Sequence, residues 1–133
     1  MADTGFVVAL MNKTDVRHLE VAEVYRQEKQ ILLPQTVLAE VAYLVGREVG
    51  TMMVATSLRY LLNSRFIILA LTSEDLLRVA EILEIYRDSR IDFVDTSVMA
   101  IAERLEIVKV LTLDRRDFQL FRPKHCHFFE IMP

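Results

Sequence analysis

The sequence predicts an α/β domain built on a mainly parallel sheet. Three observations predict it. Short apolar runs recur along the chain, longer stretches with helical spacing lie between them, and the runs are apolar enough to be covered on both faces. The 133 residues, 53% hydrophobic with only 3 Gly and 3 Pro, suit one folded unit spanning residues 1–133 with a sizeable core. No repeat, linker or low-complexity stretch interrupts them.

Taken in order, the chain opens on the apolar stub "MA", and "TGFVVALMN" then reads as helical. In "TDVRHLEVAEVYRQEKQ", Val16, Leu19, Val21, Val24 and Tyr25 recur mostly three or four apart, and Thr14 or Asp15 suits the N-cap. "ILL" (31–33) reads as a strand. "TVLAEVAYLVGREVG" and "TMMVATSLRYLLNSR" are two helices divided near Gly50, and "FIILAL" (66–71) is a second strand. "SEDLLRVAEILEIYRDSR" opens with Ser73 as a cap, and "DFVDTSVMAIAERLEI" with Asp92. "VKVLTL" (108–113) and "HFFEIM" (127–132) complete the strands.

A formal net charge of -3 gives no global attraction to a polyanion, so nucleic-acid binding would need a local patch or a bound cation. No apolar stretch approaches the roughly 20 residues of a membrane helix, and an acid, Asp3, stands where a signal peptide wants bases. A cytoplasmic protein without a membrane segment is expected. The single cysteine, Cys126, excludes an internal disulfide, and without recognisable ligand partners the flanking His125 and His127 read as structural.

Several acids stand in unusual places. Glu40 lies three residues after Val37 and four before Leu44, on an apolar helical stripe, where it either snorkels, pairs with Arg47 or serves a site. Val98, Met99 and Ala102 follow Asp95 on one face, so its carboxylate also points inward, as a helix cap or as part of a site. Asp92 reads as the cap. Asp3 follows the stub and Asp114 closes the strand "VKVLTL", at the strand ends where α/β sheets bind ligands. Clustered carboxylates repel one another unless a cation neutralises them, and hard oxygen ligands suit Mg²⁺ or Mn²⁺. Metal-assisted phosphoryl chemistry is the reaction class this suggests.

With those acids identified, the chain resembles the PIN-domain family, most of all the small VapC-type toxins of bacterial and archaeal toxin-antitoxin pairs. The resemblance rests on "DTGFVVALMN", "LPQTVLAEVAYLV", "DFVDTSVMAIAERLEI" and "VLTLDRRDF", in that order along essentially the whole chain. It implies a three-layer α/β/α domain with a central, mainly parallel sheet. It also implies an acidic pocket binding one or two Mg²⁺ or Mn²⁺ ions, cleavage of RNA phosphodiester bonds, a small antitoxin partner and a homodimer. Apolar helices beyond the needs of one core, such as "VATSLRYLL", agree with a homodimer.

Carried over by position, the resemblance makes Asp3, Glu40, Asp95 and Asp114 the catalytic acids and metal ligands, with Asp117 as a further candidate ligand. Thr4 and Thr112 match hydroxyl residues that fix a carboxylate rotamer. Arg115 and Arg116 are candidates for RNA phosphate contacts, against the alternative of a solvated turn. A PIN nuclease of RNA processing without an antitoxin, and an inactive PIN-like binding module, are the alternative functions. One departure stands out. Only Met1 and Ala2 precede the first acid, so either the start codon is placed late or the family's central strand is a stub, with few ladder bonds and Asp3 close to a fraying end.

Overall fold

A computed structural model describes residues 1–133. Seven helices and four strands follow in the order α1 (Thr4–Met11), α2 (His18–Gln27), β1 (Ile31–Pro34), α3 (Gln35–Val49), α4 (Thr51–Leu62), β2 (Phe66–Leu69), α5 (Ser73–Ile85), α6 (Phe93–Arg104), β3 (Lys109–Leu111), α7 (Arg115–Leu120) and β4 (Glu130–Met132). No helix is long and apolar enough to cross a membrane.

Two parallel pairs, β1–β2 and β3–β4, make the sheet, in the registers Ile31↔Phe66 and Lys109↔Glu130. The N-terminal stub joins them. Ala2 forms a parallel bridge with Leu111, the Ala2 N–H donates to the Leu32 carbonyl at 2.9 Å, and the Asp3 N–H donates to the Leu111 carbonyl at 3.0 Å. The Leu111 N–H returns a 2.7 Å bond to Met1 O, and the Met1 ammonium donates to Lys109 O at 2.9 Å. The expected stub is therefore present, but the expected fraying end is not: Met1, Ala2 and Asp3 are buried at the middle of the sheet. The strand order is β2–β1–stub–β3–β4.

Burial follows that order. Ile31, Leu33, Val110 and Leu111 are buried in the inner strands, whereas Ile67 and Ile68 of edge strand β2 are each 38% exposed. α1 is apolar on nearly every side and buries Phe6, Val7, Ala9 and Leu10. In α6, seven consecutive residues from Thr96 to Ala102 are buried, as befits a helix with almost no polar face. Its small Ser and Ala side chains let α3 and α5 approach closely. Each large side chain fully buried in this way contributes about 1.5–3 kcal/mol. Met99 and Ile101 are among them.

The helix boundaries differ from expectation in three places. α2 begins at His18, behind an Arg17 N-cap that makes no side-chain bond, while Asp15 instead accepts from the Arg17 N–H in the preceding turn. The N-cap of α5 is Thr72, not Ser73, because Thr72 and Asp75 form the reciprocal bonds of a capping box. Residues 115–120 form helix α7, not a solvated turn, with Asp114 as its cap. Gly50, at φ 100°, does divide α3 from α4, in a conformation that strains any residue with a Cβ.

Candidate functional site

The carboxyl ends of the stub and β3, together with the starts of α6 and α7, meet at the carboxyl end of the sheet, at its centre. Asp3 caps α1 by accepting from the Phe6 N–H at 3.0 Å. Asp114 caps α7 by accepting from the Arg116 N–H at 3.1 Å. Asp92 caps α6 by accepting from the Asp95 N–H at 2.9 Å, which frees the Asp95 carboxylate to face the cluster. Capping explains why acids occupy these positions. It does not explain why several of them converge.

Carboxylate oxygens of Asp95, Asp114 and Asp117 lie within 4.8 Å of one another. Asp3 and Glu40 fall outside that tight trio but join it through hydroxyls and charge. Thr112 Oγ1 donates to Asp3 Oδ2 at 2.5 Å and accepts from the Asp114 N–H at 2.9 Å, so one side chain orients the first acid and the backbone of the fourth. Thr4 Oγ1 donates to Glu40 Oε2 at 2.5 Å, tying α3 to the start of α1. Thr4 and Thr112 thus each grip an acid distant in sequence. Arg47, a possible partner for Glu40, pairs with Glu48 instead.

The electrostatics are those of a site lacking a counter-charge. Burial pushes the Asp3 carboxyl up to about 6, against the Phe6 and Thr112 hydrogen bonds, with Asp114 and Glu40 adding repulsion. Asp95 rises to about 8, first by burial and then through the charges of Asp92, Asp3, Asp114 and Asp117. Asp117 is also raised, by burial and by Asp114. Its buried Oδ1 has no hydrogen-bond donor, and the Arg116 guanidinium, 3.9 Å away and largely in solvent, is too distant to supply one. A buried carboxylate oxygen without a partner, within reach of two further carboxylates, fits a hard divalent cation.

Other site neighbours carried weaker signals in the sequence. Thr36, one turn before Glu40, is 2.5 Å from Ser97 Oγ, and Ser97 also donates to the Val94 carbonyl at 2.6 Å. The hydroxyl pair links α3, which carries Glu40, to α6, which carries Asp95. Nothing in local periodicity couples residues 61 apart. Arg90, at φ 63°, holds the left-handed turn that leads the chain into Asp92. Arg115 and Arg116 are both exposed, and each donates to a main-chain oxygen, of the last residue Pro133 and of Ser89 respectively. His125 donates through Nε2 to the Ile107 carbonyl at 2.9 Å, away from the acids, as its structural reading requires.

Comparison with known proteins agrees with this fold. The PIN domain family profile matches residues 1–122. The chain is 29% identical over 132 residues to Ribonuclease VapC26 of Mycobacterium tuberculosis, covering 98% of each. The crystal structure of M. tuberculosis VapC20, described as a Sarcin-Ricin loop cleaving toxin, superposes with a TM-score of 0.75 and 21% identity over 82% of this chain and 85% of that one. VapBC2 from Rickettsia felis, crystallised bound to a DNA fragment from its promoter, gives a TM-score of 0.75 at 18% identity, covering 100% and 98%. At such identities the two structures speak for the fold alone, and the fold they share with this chain is the PIN fold.

Proposed function

The chain belongs to the PIN-domain family, and on that footing we propose that it is a divalent-metal-dependent endoribonuclease acting in the cytoplasm, the toxin of a toxin-antitoxin pair. One observation carries this reading: the converging carboxylates of Asp95, Asp114 and Asp117 have no cationic side chain hydrogen-bonded among them, and Asp117 Oδ1 is buried without any donor. The similarity to Ribonuclease VapC26 supports RNA as the substrate.

In this reading residues 1–133 work as one PIN-like domain, and Asp3, Asp95, Asp114 and Asp117 hold one or two Mg²⁺ or Mn²⁺ ions, with Glu40 at their margin. Bound there, the cation would neutralise charge on the phosphate and make a water easier to deprotonate into the nucleophile that attacks phosphorus. The protein's part is orientation. Thr112 holds the Asp3 carboxylate and Thr4 that of Glu40, so each acid is in position before the cation arrives. Asp95, with its carboxyl near 8 when no cation is present, must release its proton on loading, so metal uptake and proton release are coupled. Arg115 and Arg116, exposed beside Asp114, contact the phosphates flanking the cut.

The partner proteins follow from uncovered apolar surface. A cleft of about 480 Å³ between α1, α2 and α4, lined by Leu10, Met11, Ala22, Tyr25, Met53 and Tyr60, suits an antitoxin segment. α4 also leaves Met52 and Leu62 79% and 76% exposed, which supports a protein cover, including a second copy of the chain.

Incubation of the purified protein with single-stranded RNA tests the reading. Cleavage with Mn²⁺ or Mg²⁺, abolished by EDTA and inhibited by the product of a short neighbouring reading frame, is the expected result. A protein that binds Mn²⁺ yet leaves every RNA intact is instead the inactive binding module. Cleavage without an inhibitory neighbour points to an RNA-processing nuclease.

A further inference from the structure

We propose that the groove between α7 and β4 is a subsite for one unpaired nucleobase of the RNA, with Phe128 as its stacking surface and Gln119 as its polar edge. The inference rests on the ribonuclease reading and adds where the strand lies beside the acids.

The groove encloses about 410 Å³, within the range of roughly 300–1,000 Å³ common for small-ligand sites, and is lined by Arg115, Phe118, Gln119, Phe128, Phe129 and Ile131. Its floor is rigid. Phe118 and Phe129 are buried and meet edge-to-face at 6.1 Å. Its rim is an anomaly for a water-facing surface, because Phe128 is 62% exposed, with the Arg122 guanidinium 5.0 Å from the ring centroid. An exposed aromatic ring with an arginine alongside is the arrangement on which single-stranded nucleic acids stack.

Charge around the groove selects the same ligand. Although the whole chain carries -3, the segment "RRDFQLFRPKHCH" holds Arg115, Arg116, Arg122 and Lys124 against one acid, Asp117, which is buried toward the site. Lys124 faces Glu81 at 3.6 Å and Arg116 faces Asp117 at 3.9 Å, and all three arginines are also held by main-chain oxygens. Arg115 donates to Pro133, Arg116 to Ser89, and Arg122 to Gln119, Leu120 and Phe121. Arg122 is held by neutral carbonyls that leave its charge uncancelled, whereas Arg116 lies 3.9 Å from Asp117 and Arg115 reaches the oxygen of the last residue, Pro133, so the positive field suited to a polyanion centres on Arg122 beside Phe128. It is the local patch that an acidic chain needs in order to bind nucleic acid.

Position links the groove to the chemistry. Arg115 directly follows Asp114, and Phe118 and Gln119 follow one turn later on α7, about 5.4 Å along the axis. A base seated there belongs to a nucleotide next to the phosphate held at the acids. Stacking on Phe128 accepts any base, whereas the Gln119 amide, both donor and acceptor, favours particular base edges.

The test uses the full chain with Mn²⁺ and a short single-stranded RNA. Phe128→Leu keeps an apolar side chain and removes the π face, and Gln119→Ala removes the amide. Both positions are exposed, so melting temperature and Mn²⁺ affinity should hold. For Phe128→Leu we expect KM to rise about 5- to 100-fold at little-changed kcat, and for Gln119→Ala an altered base preference at one position beside the cut. Fluorescence anisotropy of the same RNA on Asp95→Asn protein, with and without Phe128→Leu, measures binding apart from cleavage. Equal RNA affinity with and without Phe128→Leu overturns the subsite even if the wild type cuts RNA. Loss of dimer or antitoxin binding in Phe128→Leu at unchanged KM gives the groove to a protein and overturns it too. No cleavage by the Mn²⁺-loaded wild type sinks the ribonuclease reading, and anisotropy then still decides the groove.

Discussion

Two regions of this molecule bury acids, and they neutralise them differently. Between α5 and α6, Asp75 is 2% exposed, and both its oxygens are met by Arg104, at 2.7 and 3.0 Å. One turn along, Arg78 grips Glu103 in the same two-pronged way, at 2.6 and 3.1 Å. Burial alone would push the Asp75 carboxyl up, but Arg104 and the Thr72 N–H overcome it and hold the group below its ordinary range. At the carboxyl end of the sheet Asp3, Asp95 and Asp117 are instead all raised, and Asp117 Oδ1 has no donor. An acid buried for stability brings its cation from the same chain. In the proposed function, the acids of the site leave that position to an ion from solution.

The largest expected contrast comes from exchanging one acid for its amide in each region. Asp95→Asn should lower RNA cleavage by at least about 10²-fold, the scale of losing one charge-stabilising group, with the metal-free fold as stable as before or more so. Asp75→Asn should do the reverse. Its cleavage per folded molecule should stay near wild type, while denaturant unfolding should show a loss of about 2–3 kcal/mol, because the partly exposed Arg104 loses its charge partner. If both variants lose stability equally, the two regions do not differ as described.

Smaller effects sharpen the same comparison. Thr112→Val removes the hydroxyl between Asp3 and the Asp114 backbone, and Mn²⁺ affinity measured by calorimetry should fall about 10- to 100-fold. The pH dependence is subtler. A carboxyl raised in the folded state binds protons better there than in the unfolded chain, so it stabilises at low pH and loses that contribution as pH rises through the folded value. Asp3 and Asp95, from an ordinary 3.8 to about 6 and about 8, place that loss between roughly pH 4 and pH 8. The metal-free protein should therefore melt higher near pH 5 than near pH 8, and saturating Mn²⁺ should weaken or reverse the trend. A melting temperature that climbs steadily from pH 5 to pH 8 without metal contradicts the raised values.

The sequence made the architecture legible where a pattern was long enough to repeat. Apolar runs located all four strands, and Gly50 divided α3 from α4. α7 escaped because six residues are too few to show a helical period, and an arginine pair resembles a turn. Thr72 was hidden by Ser73, although the acid three residues on, Asp75, marks Thr72 as the capping-box residue. Asp3, Glu40, Asp95 and Asp114 stood out in the sequence because each interrupted an apolar face or ended a strand, whereas Asp117 entered only through the resemblance. Their hydroxyl partners did not stand out. Thr4 meets Glu40 across 36 residues and Thr112 meets Asp3 across 109, and such pairings exist only once the sheet brings the chain ends together. The stub shows the same limit, because two residues carry no periodicity, yet neighbours on both sides make them central.

The most direct test of the central claim is a calorimetric titration of Mn²⁺ into the wild-type chain, Asp95→Asn and Asp75→Asn at pH 7.5. Wild type and Asp75→Asn should bind with the same stoichiometry and similar affinity, releasing protons on uptake, while Asp95→Asn should bind at least tenfold more weakly. No Mn²⁺ binding by the wild type, or equal binding by all three, would contradict the view that the acids at the carboxyl end of the sheet await a cation.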